Sequence, residues 1–266
     1  MLASTAVAGR VHTLREGALG WIVFDHRERR NAISADMWRQ IPAAARELDA
    51  DPGIRVVGLR GAGEEAFVSG ADISEFEERR NPETGPEYEA SNGRAFQALA
   101  GLDKPLLALV HGPCVGGGLA LCLTADLRYA ADDARFAIPA ARLGVGYAPG
   151  GIESLVRAVG RSAASEIFLT GRRFDAREAL RMGLVHAVYP KGELERRVRE
   201  RAEEVAAGAP LTLRALKRAL RELAGPESAR DPEAREADLR ACFESEDYRE
   251  GVRAFLEKRR PIFRGR

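Results

Sequence analysis

Short apolar runs alternate with amphipathic segments along the first 190 residues of the chain. Five runs have the length and aliphatic content of strands, at residues 19–24, 54–59, 106–111, 127–130 and 184–189. Between the first two, Ser34 can cap a helix that extends to about Ala50, because apolar residues recur there at three- and four-residue steps. These residues are Met37, Ile41, Ala44, Ala45 and Leu48. Strands separated by helices predict an α/β core with parallel strand pairing.

After residue 190 the strand-like runs end and charged amphipathic helices follow. The pattern predicts helices over 193–207, 210–223 and 234–243, and a last helix from a cap at Ser245 to near Lys258. We therefore expect two regions, an α/β core at 1–190 that carries the site and a helical C-terminal region at 191–266. The second region is expected to be a separate subdomain or an oligomer contact.

Composition is that of an ordinary globular protein. The 266 residues are 45% hydrophobic and 30% charged, and the net charge of +1 gives no electrostatic footprint for nucleic acid. The longest apolar runs are strand-like and the first ten residues lack a charged n-region, so neither a membrane span nor a signal peptide is expected. The three cysteines, Cys114, Cys122 and Cys242, are widely spaced. They predict reduced thiols in a cytoplasmic protein, and no metal-ligand spacing occurs.

Two glycine-containing turns carry the candidate chemistry. Residues 115–120, Val-Gly-Gly-Gly-Leu-Ala, follow an apolar strand and open a helix, so their backbone N–H groups are exposed at a positive helix terminus. Residues 67–73, Phe-Val-Ser-Gly-Ala-Asp-Ile, form a second candidate turn. Two such turns can each direct one N–H at a single carbonyl oxygen, which would make an oxyanion hole.

These motifs resemble those of the crotonase superfamily, the enoyl-CoA hydratase/isomerase group. The resemblance rests on residues 67–73, the glycines 116–118 with Asp126, residues 171–185, and the tail segments 245–251 and 255–261. Each motif is weak alone, but their order and spacing are specific over about residues 11–263. The resemblance implies a spiral of ββα turns followed by a helical trimerisation region, in a homotrimer or a homohexamer.

The resemblance also implies the ligand and the residues that bind it. The ligand would be an acyl-CoA thioester of fatty acid metabolism, with coenzyme A as part of the substrate and no separate cofactor. Its thioester oxygen would accept hydrogen bonds from the N–H groups of Ala71 and Gly117, which would stabilise an enolate. Substrate-binding positions would be Arg29, Ser69, Asp72, Ile73, Gly116, Pro139, Ala140 and Leu143. From the residues alone, Asp72 is equally well explained as a helix N-cap. The glycines could form a tight turn without function, but the second turn at 67–73 favours the functional explanation.

The chain departs from the family at the two positions that carry the hydratase glutamates. Alanine stands at both, as Ala120 and Ala140. Because one general acid–base group contributes about 10²–10⁴-fold to a rate, loss of both should nearly abolish hydration. Decarboxylation of a malonyl-type CoA needs no base, since loss of CO₂ produces the enolate directly.

One further segment supports decarboxylation, and a second class of function stays open. Residues 143–147 and 151–155 are similar to a segment of methylmalonyl-CoA decarboxylases, in which a tyrosine at the place of Tyr147 faces the reacting group. Those enzymes carry a histidine where this chain has Ala71. We expect a lyase of the enoyl-CoA hydratase-like kind. The alternative is a non-catalytic acyl-CoA-binding or scaffold protein, which would also lack both glutamates.

Other polar residues compete for a role. Glu153 is predicted to lie in the first turn of a helix, where it would interact with the helix dipole. Glu75 and Glu77 follow Ile73 and could enter the site from a mobile loop over 79–88, placed where a substrate lid would be. His111 ends a strand and is expected to be a hydrogen-bonded core histidine rather than a base.

Overall fold

The computed structural model describes residues 8–266. Residues 1–7 lie outside the described residues. The prediction that the first ten residues are not a signal peptide concerns mostly this segment. The strands are β1 (Arg10–Glu16), β2 (Leu19–Asp25), β3 (Val56–Gly61), β4 (Leu106–Val110), β5 (Pro113–Val115), β6 (Leu127–Ala131), β7 (Arg135–Ala137), β8 (Phe174–Asp175) and β9 (Ala187–Tyr189). The helices are α1 (Ala35–Ala50), α2 (Phe76–Arg79), α3 (Gly85–Ala100), α4 (Gly117–Leu123), α5 (Ala140–Leu143), α6 (Pro149–Thr170), α7 (Ala176–Arg181), α8 (Lys191–Ala206), α9 (Pro210–Ala224), α10 (Pro232–Glu244) and α11 (Glu246–Leu256).

The strands form two sheets. The larger sheet has the order β1-β2-β3-β4-β6-β9, and every pair in it is parallel except the antiparallel hairpin of β1 and β2. The smaller sheet has the order β5-β7-β8, with β5 and β7 parallel. The predicted α/β core with parallel pairing is confirmed.

Both faces of the larger sheet are buried, which explains why its central strands are mostly apolar, with Arg60 in β3 and Arg128 in β6 as partly buried exceptions. Alternate side chains such as Ile22 and Leu59 face the helices α1 and α3, whereas Trp21 and Leu107 face the other way. Helix α8 covers that second face with Leu194, Val198 and Ala202. Although the predicted division at residue 190 puts α8 in the C-terminal region, the helix packs on the core sheet. The two-region division itself stays a prediction.

Helix α1 forms as its sequence predicts. The Ser34 hydroxyl accepts a hydrogen bond from Met37 N at 3.2 Å, and the apolar face of the helix is buried. The Glu75 carboxylate accepts a second free N–H of the first turn, that of Ala35, at 2.7 Å. Glu75 is therefore a helix-capping residue in this structure.

Three local predictions were wrong. The run 184–189 is a strand only over β9, because Leu184 N bonds Ala179 O in the turn that ends α7. The predicted loop 79–88 shrinks to residues 80–84, where Asn81 Oδ1 accepts from the N–H groups of Glu83 and Thr84 in the turn before α3. His111 is 2% exposed, but neither of its ring nitrogens bonds any described residue.

The C-terminal helices confirm the predicted all-helical tail. Ser245 caps α11 by accepting a hydrogen bond from Tyr248 N at 3.0 Å. Helices α9, α10 and α11 surround an apolar cleft of about 690 Å³. Large apolar side chains remain exposed in and around it, among them Leu216, Leu220, Leu239, Phe243, Phe255 and Leu256. Over residues 8–266, no helix combines the length and hydrophobicity needed to cross a membrane.

Candidate active site

Backbone pairing brings the two glycine-containing turns together. Ile33 pairs with Ala71 in a parallel bridge, through Ile33 N to Gly70 O and Asp72 N to Ile33 O, each 2.9 Å. Val68 pairs with Cys114 in a second bridge, through Val115 N to Val68 O at 3.0 Å. The segment 67–73 is thereby held between the residues just before α1 and those just before α4.

The N–H groups of Ala71 and Gly117 meet where these turns converge. A β-carbon added to Gly117 would lie 4.0 Å from Ala71 N, so the two residues are immediate neighbours. Within residues 8–266, no hydrogen bond uses either N–H. Gly117 is the first residue of α4, where backbone N–H groups have no partner within the helix. Two unpartnered donors therefore face the same space.

The glycines on either side of Gly117 make this approach possible. Gly116 has φ +52°, a conformation that favours glycine, and its N–H bonds Ala137 O at 2.8 Å. A β-carbon on Gly118 would lie only 2.4 Å from Val68 O, so any side chain there would separate α4 from the neighbouring turn.

A cavity of about 810 Å³ opens from these two donors. Nine of the eleven site residues expected from the sequence line it: Ser69, Ala71, Ile73, Gly116, Gly117, Pro139, Ala140, Leu143 and Tyr147. The volume is that of a typical small-molecule site. Their individual roles remain predictions.

Arg29 and Asp72 do not line the cavity but support its edge. Arg29 Nη1 donates to both carboxylate oxygens of Asp72, at 2.6 and 2.9 Å. Asp72 also caps the short turn that follows, accepting from Ser74 N at 3.1 Å. Burial alone would raise the pKa of the Asp72 carboxyl, but hydrogen bonds from Ser74 and the charge of Arg29 lower it. The N-cap explanation of Asp72 is confirmed.

The two positions that lack glutamate face the cavity. Both Ala120, which is 9% exposed, and Ala140 contribute to its lining. Glu75 and Glu77 are absent from that lining. The carboxylates that line it are Glu89, Asp126 and Glu153, and each has a cationic partner.

These three partners differ in kind. Asp126 binds the buried Lys217 Nζ at 2.8 Å, and Glu153 pairs with Arg157 one helical turn further along α6. Glu89 pairs with Arg80 at 2.6 Å. Glu153 lies on α6 but is its fifth residue, beyond the first turn, so the predicted first-turn position is wrong.

Tyr147 lies beside the α4 turn. Its hydroxyl is 3.4 Å from Gly116 O, and its ring packs edge-to-face on Phe168 with centroids 5.1 Å apart. Burial raises the pKa of Tyr147 to about 12. The phenol is therefore a neutral hydrogen-bond donor throughout the ordinary pH range.

One group of polar cavity residues had no counterpart in the sequence analysis. Tyr88, Glu89 and Asn92 lie on α3, and Arg80 lies just before that helix. Trp38 connects them to the α4 turn, because its ring lies 3.1 Å from the β-carbon position of Gly117 and its Nε1 donates to the Tyr88 hydroxyl at 3.2 Å. The spacing of Tyr88, Asn92 and Phe96, four residues apart, was a signal that could have indicated a helix face.

Comparison with known proteins identifies the class. The sequence profile described as enoyl-CoA hydratase/isomerase matches residues 15–266. A short-chain-enoyl-CoA hydratase of Clostridium acetobutylicum is 33% identical, with 92% of this chain and 94% of that protein covered. A carnitinyl-CoA dehydratase of Escherichia coli is 35% identical, with 96% and 98% covered. A crystal structure of an enoyl-CoA hydratase/carnithine racemase from Magnetospirillum magneticum superposes with a TM-score of 0.92 at 36% identity, with 96% of each chain covered.

This chain belongs to the enoyl-CoA hydratase/isomerase family of the crotonase superfamily. The predicted crotonase-type fold and the acyl-CoA class of enzyme are thereby confirmed.

Proposed function

We propose that this chain is a lyase that decarboxylates a malonyl-type acyl-CoA. In that reaction the bond between the α-carbon and the carboxylate breaks and CO₂ leaves. The electron pair of that bond enters the thioester enolate. The enolate oxygen accepts hydrogen bonds from the N–H groups of Ala71 and Gly117. The α-carbon then takes up one proton, which water restores to the donor. Coenzyme A enters and leaves as part of the substrate.

The observation that carries this proposal is that free backbone N–H donors and apolar side chains, rather than carboxylates, share one cavity. Ala71 N and Gly117 N are unpartnered within residues 8–266, whereas Ala120 and Ala140 present methyl groups to the same cavity. Each donor of an oxyanion hole is typically worth about 3–4 kcal/mol to the transition state. An enolate formed by loss of CO₂ uses that stabilisation and needs no base.

Tyr147 supports the second half of the reaction. Its phenol keeps its proton at neutral pH because burial raises its pKa to about 12. It lines the cavity next to Gly116 and is the proposed donor of the proton to the α-carbon. A neutral phenol also adds no negative charge that would repel the substrate's carboxylate.

Water addition to an enoyl-CoA is the second candidate. It is favoured by the relatives, which are named short-chain-enoyl-CoA hydratase and carnitinyl-CoA dehydratase. Glu89 and Glu153 line the cavity and would have to replace the two missing glutamates. Both are paired with arginines, so each would have to leave its ion pair before it could position a water molecule.

We also infer that the chain assembles as a homotrimer or homohexamer through α9, α10 and α11. The exposed apolar side chains around their cleft support this inference, since monomers rarely leave large apolar patches in water.

The deciding experiment incubates the purified protein with crotonyl-CoA, butyryl-CoA and methylmalonyl-CoA and follows each by mass spectrometry. Loss of CO₂ from methylmalonyl-CoA, with crotonyl-CoA unchanged, is the expected result. Rapid hydration of crotonyl-CoA would contradict it and would direct attention to Glu89→Gln and Glu153→Gln. Tight binding of acyl-CoA esters without turnover of any of them would instead establish the non-catalytic binding protein.

A further inference from the structure

Arg80 is held rigidly at the cavity wall. Its guanidinium carbon lies 5.1 Å from the ring centroid of Phe76 and 5.4 Å from that of Tyr88. The Arg80 side chain is only 20% exposed. Because aromatic rings contact the planar group, its hydrogen-bonding edge is the part left to meet a partner.

Most of that edge is unused. A guanidinium has five N–H donors. Within the described chain, the guanidinium of Arg80 makes a single hydrogen bond, from Nη2 to Glu89 Oε1 at 2.6 Å. Glu89 is 42% exposed and can turn towards water without leaving a buried charge. Arg80 therefore combines a partly buried positive charge with free donors and an exchangeable partner.

Two further polar side chains, both on α3, line the cavity together with Arg80. The Asn92 side-chain oxygen is buried and bonds no described residue, and Asn92 lines the cavity. The Tyr88 hydroxyl accepts from Trp38 Nε1, so its own proton is free to be donated. We call Arg80, Tyr88, Glu89 and Asn92 the Arg80 cluster. It is one polar part of a cavity lining that also includes Arg128, Arg157 and Arg221.

We propose that the Arg80 cluster is the receptor for a free carboxylate on the acyl group, and that it selects carboxylated acyl-CoA over alkyl acyl-CoA. This inference rests on the proposed function, because it supplies the group that recognises the carboxylate to be lost. The planar fork of arginine matches a carboxylate in two parallel hydrogen bonds. An alkyl chain in the same place would leave the free donors of Arg80 without water or partner, which is unfavourable.

The position of the cluster fits that role. Trp38 contacts both the Gly117 turn and Tyr88, so a single side chain links the cluster to the turn that carries the Gly117 N–H. Arg80 also neutralises Glu89, so the cavity does not repel an entering carboxylate. Once CO₂ has left, the neutral product no longer has a charge for Arg80 to hold.

The test compares two four-carbon ligands, succinyl-CoA and butyryl-CoA, by isothermal titration calorimetry. They differ only in a terminal carboxylate against a methyl group, and neither is a malonyl-type substrate. Arg80→Met removes the charge and keeps an apolar stem between Phe76 and Tyr88. Arg80→Lys keeps the charge without the fork. Arg94→Met is the matched control. Arg94 pairs with Glu87 at 2.6 Å, and both residues lie on α3 but outside the cavity lining.

We expect the unaltered protein to bind succinyl-CoA more tightly than butyryl-CoA. Arg80→Met should weaken succinyl-CoA binding by about tenfold to a hundredfold, the range for hydrogen bonds to a charged group, and should leave butyryl-CoA binding within about threefold. Arg80→Lys should restore part of the loss, Glu89→Gln should tighten succinyl-CoA binding, and Arg94→Met should change neither ligand. Equal weakening of both ligands by Arg80→Met, or a preference for butyryl-CoA in the unaltered protein, would overturn the proposal.

Steady-state rates on methylmalonyl-CoA separate this proposal from the proposed function. An Arg80-dependent preference for succinyl-CoA without any release of CO₂ would retain the receptor and reject the decarboxylase. Release of CO₂ with unchanged kcat/KM in Arg80→Met would retain the decarboxylase and reject the receptor.

Discussion

The N–H of Gly117 is a donor that only proline, among the natural residues, can remove. Proline is tolerated at the first position of a helix, so Gly117→Pro should fold. We expect its turnover to fall by about 10²–10³-fold, as for loss of one oxyanion donor, while acyl-CoA binding changes little. Steady-state kinetics and calorimetric binding measure the two effects.

Gly117→Ala is the control for that change. It adds the same β-carbon, 3.1 Å from the Trp38 ring, but keeps the N–H. If the alanine variant loses as much activity as the proline variant, crowding against Trp38 rather than the lost donor explains the effect.

Tyr147 predicts the alkaline limb of the pH profile. Burial raises its pKa to about 12, so the phenol stays protonated as the pH rises through 10, where an ordinary tyrosine is half ionised. We expect kcat/KM to stay flat from pH 7 to pH 10, and Tyr147→Phe to lower turnover by about 10²–10⁴-fold, as for a general acid. Tyr129→Phe, a buried tyrosine on the other face of the sheet, should leave turnover unchanged. A fall in rate centred near pH 10 would contradict the assignment of Tyr147.

Single residues also mark the limit of what the sequence could predict. Ala71, Gly117, Ala120 and Ala140 were found because their motifs are local and ordered along the chain. Arg80 was missed because its partners are set by how α3 packs on Trp38, which no short motif records. The sequence left open that Glu75 enters the site with a mobile loop, whereas its carboxylate caps α1 at Ala35 N.

At the scale of elements, the close packing of α4 against the neighbouring turn depends on Gly118. A β-carbon there would lie 2.4 Å from the carbonyl oxygen of Val68, a backbone atom that cannot move aside alone. We expect Gly118→Ala to lower the free energy of unfolding by about 1–3 kcal/mol or more, the range for overpacking, and to separate the two free donors. Chemical denaturation measures the first effect and turnover the second.

The matched control lies in another helix. Gly192 in α8 has no atom within 4 Å of its β-carbon position. Gly192→Ala should therefore be neutral or stabilising, since alanine is the better helix former by up to about 1 kcal/mol. Equal destabilisation by both substitutions would mean that close packing is not the reason.

The elements that the sequence predicted are those with a buried, periodic face. The strands β2, β3, β4 and β6 were located within two residues, because each contains a run of buried apolar residues. Strand β1 was missed because none of its residues is fully buried, so it carries no apolar run. The three strands of the smaller sheet are two or three residues long, too short for periodicity to register.

At the scale of the whole molecule, the apolar cleft of α9, α10 and α11 predicts assembly. Phe255 is 83% exposed and lines the cleft. Phe255→Glu should shift the protein from a trimer or hexamer towards monomer, because burying a charge in an apolar contact is costly. Light scattering after size-exclusion chromatography measures the mass. Leu169→Glu in α6, where the leucine is 79% exposed away from the cleft, should leave the mass unchanged. Assembly that survives Phe255→Glu would exclude this face as the contact.

The unpartnered donors at Ala71 and Gly117 are main-chain groups, and this separates two properties of the enzyme. Under the proposed function, stabilising the enolate would belong to the fold, whereas the route by which the enolate forms would belong to side chains that can be exchanged. Ala120 and Ala140 already face the cavity, so Ala120→Glu/Ala140→Glu should install water addition to crotonyl-CoA, measurable as loss of enoyl absorbance. The same backbone would then catalyse a different reaction after two amino-acid substitutions. If the double variant folds and binds crotonyl-CoA without hydrating it, exchange at these two positions is not sufficient.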